Sequence, residues 1–180
     1  AAAYPSYYNA ADQGYVTSVK NQEPYGMCWA FGMASLLETS FLTQGLGTYD
    51  LSEEHLAYFF ANRKNDPLGN TYGDVNKHMG TDDKGNVDYH EGGNDLLASM
   101  FLSTWSGMTT DSTHTQKTGV TPAASKAYNA AAYLKNAYFS DYSVNAMKKL
   151  LVANNSVTVM YNAQNPYYNA STAAYSYPAS

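Results

Sequence analysis

Cysteine is almost absent from this chain: Cys28 is the only one in 180 residues. No internal disulfide can form, so the redox compartment cannot be read from bridges. A solitary thiol is either an inert core residue, since free cysteine is among the most buried residue types, or a piece of chemistry. Positive charge is also scarce, 10 Lys plus Arg against 15 Asp plus Glu, for a formal net charge of -5 and a pI near 5.2. That balance offers no basic stripe for a nucleic acid backbone and no cationic face for anionic lipid. No apolar run approaches the roughly 20 residues of a bilayer-crossing helix, so membrane insertion is not expected. Residues Ala1 to Tyr8 lack the charged start and apolar run of a signal peptide. An initiating Met is missing too, so the chain reads as processed or cut from a longer sequence.

What is present is enough for a core. The chain is 44% hydrophobic and 14% charged, which suits one globular unit or two small lobes. Tyr is abundant at 18 copies, and Asn, Ser and Thr fill the loops. That composition points to a secreted or cell-surface bacterial protein.

Asp12 to Lys20 reads as a turn and a short extended segment ending at Pro24-Tyr25-Gly26. From Cys28 to Leu42 there is no Pro, and Trp29, Phe31, Met33, Leu36, Leu37 and Phe41 spread apolar surface around most of a helix, with Glu38 its sole charge. Such a helix is buried centrally. Leu51-Ser52-Glu53-Glu54 opens a second helix to about Asn62, Ser52 capping and two carboxylates facing the positive end of the dipole. Arg63 to Gly93 reads as a long surface loop. Asn94 or Asp95 caps a third helix from Leu96 to about Trp105, with Leu96, Met100, Leu97 and Phe101 as its apolar stripes. Ser106 to Ala127 reads as a polar connection. Tyr133 to Phe139 and Ser156 to Tyr161 have strand character, with a short helix capped by Ser143 between them. Pro166 to Ser180 specifies no clear element, although its Tyr pairs suit half-buried strand positions.

The informative segment is Gln22-Glu23-Pro24-Tyr25-Gly26-Met27-Cys28-Trp29-Ala30-Phe31. It sets the only thiol at the first turn of a buried helix, where free amides and the aligned dipole favour negative charge. The same amides can hold a developing oxyanion, and the Gln22 amide, six residues upstream, is placed to add a second donor. Gln22, Gly26, Cys28, Trp29, Ala30 and Phe31 resemble the active-site signature of the papain family of cysteine peptidases. Leu51 to Leu56 is similar to the start of the family's second helix, Gly92-Gly93 to its substrate-binding glycine pair, and Ala146 to Tyr161 to the opening of its second lobe.

The resemblance implies an α+β, papain-like two-lobe fold. Residues 12–115 would form the helical lobe around the helix starting at Cys28, and residues 116–180 part of an antiparallel β-barrel-like lobe, with residues 1–11 as an extension. It implies a Cys28 nucleophile, Gln22 in the oxyanion hole, and substrate binding by Gly26, Trp29, Gly92, Gly93 and Met160. The implied partner is a peptide or protein substrate, with a propeptide or an additional C-terminal domain in a longer parent. Cofactors and metals are not expected.

Departures from the family pattern carry information. Tyr25 and His90 stand where the family has two half-cystines, a paired loss that requires the loop to be held by packing or hydrogen bonds. Met27 replaces a small residue beside the nucleophile and is expected to crowd the cleft. Asn94 and Asp95 replace residues commonly aromatic and Pro, which removes the basis for a taste for bulky apolar side chains. The family's imidazole lies beyond the position matching Met160, and its orienting Asn lies further on; neither falls within these 180 residues. The chain by itself is therefore expected to have little peptidase activity.

None of the four histidines, His55, His78, His90 and His114, matches the family position, and each is expected in an ordinary solvated or hydrogen-bonding role. Asp82 to Asn86 lacks the ligand spacing of a calcium loop and reads as a solvated turn. Two other functions share the same residues: a non-catalytic peptide- or cell-wall-binding module on this fold, and a cysteine acyltransferase.

Overall fold

The computed structural model describes residues 4–62, 88–110, 122–162, 164–172 and 174–176. His78, His114, the Asp82 to Asn86 turn and most of the long loop lie outside them. Among the described residues four α-helices follow in chain order: α1 (Cys28–Thr43), α2 (Glu53–Ala61), α3 (Asp95–Leu102) and α4 (Val144–Asn154). A two-stranded antiparallel hairpin closes the described chain, β1 (Tyr168–Asn169) with β2 (Ala174–Tyr175), Tyr168 opposite Tyr175.

The core forms where α2 and α3 pack on α1. Met33 of α1, Leu56, Phe59 and Phe60 of α2, and Phe101 and Leu102 of α3 meet there, with Leu51 and Met108 from flanking segments. Every residue of α2 is buried, including its acidic first turn. Ser52 caps α2 through His55 N (3.2 Å), Asn94 caps α3 through Leu97 N (2.8 Å) and Ser143 caps α4 through Ala146 N (3.0 Å). Each cap satisfies a donor the helix cannot.

The charge of α1 lies on its buried side. Glu38 is 1% exposed, and its carboxylate accepts from Leu51 N (2.8 Å), Lys20 Nζ (3.0 Å) and the Thr17 hydroxyl. Lys20 also reaches Glu53 (2.9 Å), Asp50 (2.6 Å) and the Leu51 carbonyl (3.0 Å). The segment before α1 thus turns Thr17 and Lys20 inward and leaves Val16 and Val19 exposed. Burial works to lower the Lys20 pKa, but hydrogen bonds to Asp50, Glu53 and Glu38 outweigh it and the net direction is up.

Four expectations need correction. The buried face of α3 is Ala98, Phe101 and Leu102, while Leu96, Leu97 and Met100 face outward; helical spacing fits either set, and packing against α1 selects between them. The helix ends at Leu102, and Trp105 sits at φ 64 in the turn that follows. The connection after α3 is not a polar surface segment throughout: Ser106, Met108 and Thr109 are buried. Thr109 O accepts from Ser52 N (2.9 Å), and Met108 exchanges backbone bonds with Ala132. Finally, Tyr133 to Phe139 and Ser156 to Tyr161 join no ladder among the described residues. Alternation assigns faces to a segment, but a strand also needs a hydrogen-bonded neighbour. Tyr138 is 82% exposed and Phe139 62%.

Candidate active site

Cys28 is the first residue of α1 and is exposed. Met27 precedes it with its side chain buried in the core, so it does not crowd the cleft, and it provides no side-chain cap. Within the first turn the Ala30 N–H donates to Met27 O (2.9 Å), whereas among the described residues no acceptor engages the Cys28 N–H. Trp29 anchors this end of the helix, buried with its indole 4.9 Å from the Phe60 ring.

The approach to α1 is a tight loop. Tyr25 N donates to Gln22 O (3.0 Å), and the Gln22 side-chain Nε2 returns a bond to Tyr25 O (3.1 Å). The carboxamide is held within the loop that delivers Cys28, with one N–H committed to Tyr25. Gly26 forms a parallel bridge with Glu91. A Cβ on Gly26 would come within 2.8 Å of His90 O, so glycine here permits the loop and the 88–93 segment to touch backbone to backbone.

The glycine pair is explained by that contact. Gly92 has φ 106, a conformation side chains rarely adopt. A Cβ on Gly93 would lie 2.5 to 2.8 Å from the Trp29 indole, so Gly93 sits on that ring without space for a side chain. The loop is held by rings and a buried carboxylate. Tyr25 and His90 stack at 4.1 Å, His90 and Tyr89 at 4.0 Å. Glu54 of α2 accepts from the Tyr89 hydroxyl (2.6 Å) and approaches His90 Nε2 (3.3 Å). Burial and the hydrogen bond to Glu54 drive the Tyr89 phenol pKa upward.

The second wall comes from 156–161. Asn155, in the left-handed conformation that ends α4, bonds Thr43 Oγ1 (3.0 Å) at the far end of α1 and accepts from the Tyr8 hydroxyl. From there the chain crosses α1 at Gly32, where a Cβ would meet Thr158 Cγ2 at 3.5 Å. A cleft of about 470 Å³ opens between α1 and this segment, lined by Cys28, Trp29, Asp95 and Met160 among others. A second cavity of about 510 Å³, near Met147 and Tyr175, does not include Cys28.

Of the residues singled out from the sequence, the structure brings Cys28, Trp29 and Met160 to one cleft, with Gly93 against Trp29, Gly26 and Gly92 at the loop contact, and Gln22 at the approach. Sequence reasoning missed the work of Glu54, which it assigned to the helix dipole, because no local pattern reveals which distant ring a buried carboxylate will hold. Neither described histidine lines the cleft: His55 is fully buried with Nε2 2.8 Å from Lys126 O, and His90 is engaged with Glu54. Among the described residues no cluster of three or more His, Cys, Asp or Glu could hold a metal ion, and no helix is long and apolar enough to cross a membrane.

Known proteins resemble this chain in sequence and in fold. The family described as papain family cysteine protease matches residues 4–178. Peptidase 1 of Psoroptes ovis is 44% identical over 43 residues, 24% of this chain and 13% of that protein. The cysteine protease and lectin-like domains of Cwp84, a surface layer associated protein of Clostridium difficile, superpose with a TM-score of 0.63 at 24% identity, covering 91% of this chain and 33% of that one. Digestive procathepsin L 3 of Tenebrio molitor gives 0.55 at 16% identity, over 77% and 38% of the two chains. The chain therefore spans a minority of the length of each of these relatives, and the structural matches show an α+β papain-like fold. With the family pattern running along nearly all of its length, the chain belongs to the papain family of cysteine proteases.

Proposed function

We propose that this protein is a cysteine peptidase in which Cys28 attacks the carbonyl of a bound peptide. The observation that carries the reading is the position of the sole thiol: exposed, at the uncapped start of a buried helix, on a cleft large enough for a peptide segment. The thiolate sulfur forms a bond to the carbonyl carbon, and the oxygen takes the negative charge. The Cys28 N–H and the second N–H of the Gln22 carboxamide are the donors for that oxyanion. Collapse expels the amine, which takes a proton from an imidazole, and water hydrolyses the thioester. Since His55 and His90 are engaged elsewhere, that imidazole is supplied from outside the described residues.

The peptide runs in extended form past Gly92-Gly93, whose missing side chains leave backbone groups approachable. Residues 12–115 and 116–180 form the two lobes that flank it. Likeness to a surface layer associated protease supports a secreted or cell-surface setting.

Peptidyl epoxides test the reading. The Cys28 thiol should be alkylated by a peptide-bearing epoxide well ahead of the same warhead without its peptide, and Cys28→Ser should remove all modification. Equal rates for the two reagents would favour a thiol without a substrate groove, and a binding module in place of an enzyme. Transfer of an acyl group to an added amine in preference to water would indicate an acyltransferase.

A further inference from the structure

Among the described residues lining the Cys28 cleft, Asp95 alone carries a formal charge. It is the first residue of α3, half-buried, two residues beyond Gly93. Capping of α3 does not consume its carboxylate, because Asn94 performs that task through Leu97 N. Among the described residues no hydrogen bond or ion pair engages the Asp95 side chain. A half-buried carboxylate on a cleft wall that no protein group engages is available to a cationic ligand.

The surroundings extend the charge. The segments 21–29 and 88–95, which meet at Gly26 and Glu91, contain Glu23, Asp88, Glu91 and Asp95 and neither Lys nor Arg. Lys20 is committed to Glu38, Asp50 and Glu53, and His90 to Glu54. Charge of one sign beside a cleft attracts ligands of the other. The 156–161 segment contributes Val157, Val159 and Met160 as apolar lining, alternating with Ser156, Thr158 and Tyr161. Lys and Arg match both features, with methylenes for the apolar lining and a cationic head for the carboxylate.

We infer that Asp95 is a specificity-determining residue that selects a Lys or Arg side chain of the substrate. This rests on the peptidase reading of Cys28, and the test separates the two. Peptidyl epoxides carrying Arg, citrulline, Leu or Glu at each of the two residues next to the warhead are reacted with the protein, and the rate of Cys28 modification is followed by intact mass. At one of the two positions Arg should exceed its neutral isostere citrulline by about fivefold, the scale of a partly exposed ion pair. The advantage should shrink as salt rises from about 50 to 500 mM. It should vanish in Asp95→Asn and pass to Glu in Asp95→Lys, each rate being divided by that protein's own rate with iodoacetamide so that any change in the thiol's intrinsic reactivity cancels.

Equal rates for Arg and citrulline on the unmodified protein would overturn the role of Asp95, as would an Arg preference that survives Asp95→Asn. If every peptide epoxide reacts no faster than the bare warhead, the peptidase reading itself fails and takes this inference with it.

Discussion

The ring of Tyr25 lies 4.1 Å from the imidazole of His90, joining two positions where the papain family resemblance places paired half-cystines. What a covalent bridge would supply is supplied here by an aromatic contact, extended through Tyr89 and anchored on Glu54. A double-mutant cycle on Tyr25→Ala and His90→Ala should give a coupling of about 0.5–1.5 kcal/mol in urea unfolding. Strict additivity would mean the rings are neighbours without consequence. Either single change should also slow modification of Cys28 by a peptidyl epoxide, because both residues hold the Gly26 to Gly92 contact.

Gly93→Ala tests the seat of the glycine pair on Trp29. The added methyl falls within 2.5 to 2.8 Å of a buried indole that packs on Phe60 and cannot swing away. A loss of about 1–3 kcal/mol is expected, read as a lower urea midpoint at unchanged slope. An unchanged midpoint would place the segment further from Trp29.

Lys20→Met removes the cation shared by Glu38 and Glu53, whose side chains are each 1% exposed. Uncompensated buried charge makes this the most damaging single change proposed, about 3–5 kcal/mol. Adding Glu38→Gln should recover part of that loss, and failure to do so would argue that Lys20 acts by packing alone.

Alkaline pH should destabilise the fold. Tyr89, raised by burial and its bond to Glu54, and Lys20, raised by its carboxylates, both hold their protons more tightly in the folded chain. Their contribution is complete below their ordinary values near pH 10 and declines as pH climbs toward the higher folded values. Thermal midpoints should therefore fall above about pH 10. Tyr89→Phe should lose about 1 kcal/mol at neutral pH and decline less steeply.

The helical half of the molecule was legible because its signals are local. Ser52, Asn94 and Ser143 announce helix starts by side-chain chemistry a few atoms away, and the Cys28 segment carries a spacing few other folds require. The second half was less so. Strand character in Tyr133 to Phe139 and Ser156 to Tyr161 specifies faces, yet pairing depends on partners that the segment itself does not contain. The hairpin at Tyr168 and Tyr175 went unread as an element for the same reason, although its tyrosines were placed as strand residues. Burial of Glu38 and Glu54 was invisible because a carboxylate reveals its partner only after distant segments meet.

With one sulfhydryl in these 180 residues and therefore no bridge between any two of them, reducing agents have nothing within this stretch to break. Among its cysteines oxidants and reductants act at Cys28 alone, so the reactivity of that thiol can be removed and, from the sulfenic or mixed-disulfide stage, restored without breaking a bridge in the architecture around it.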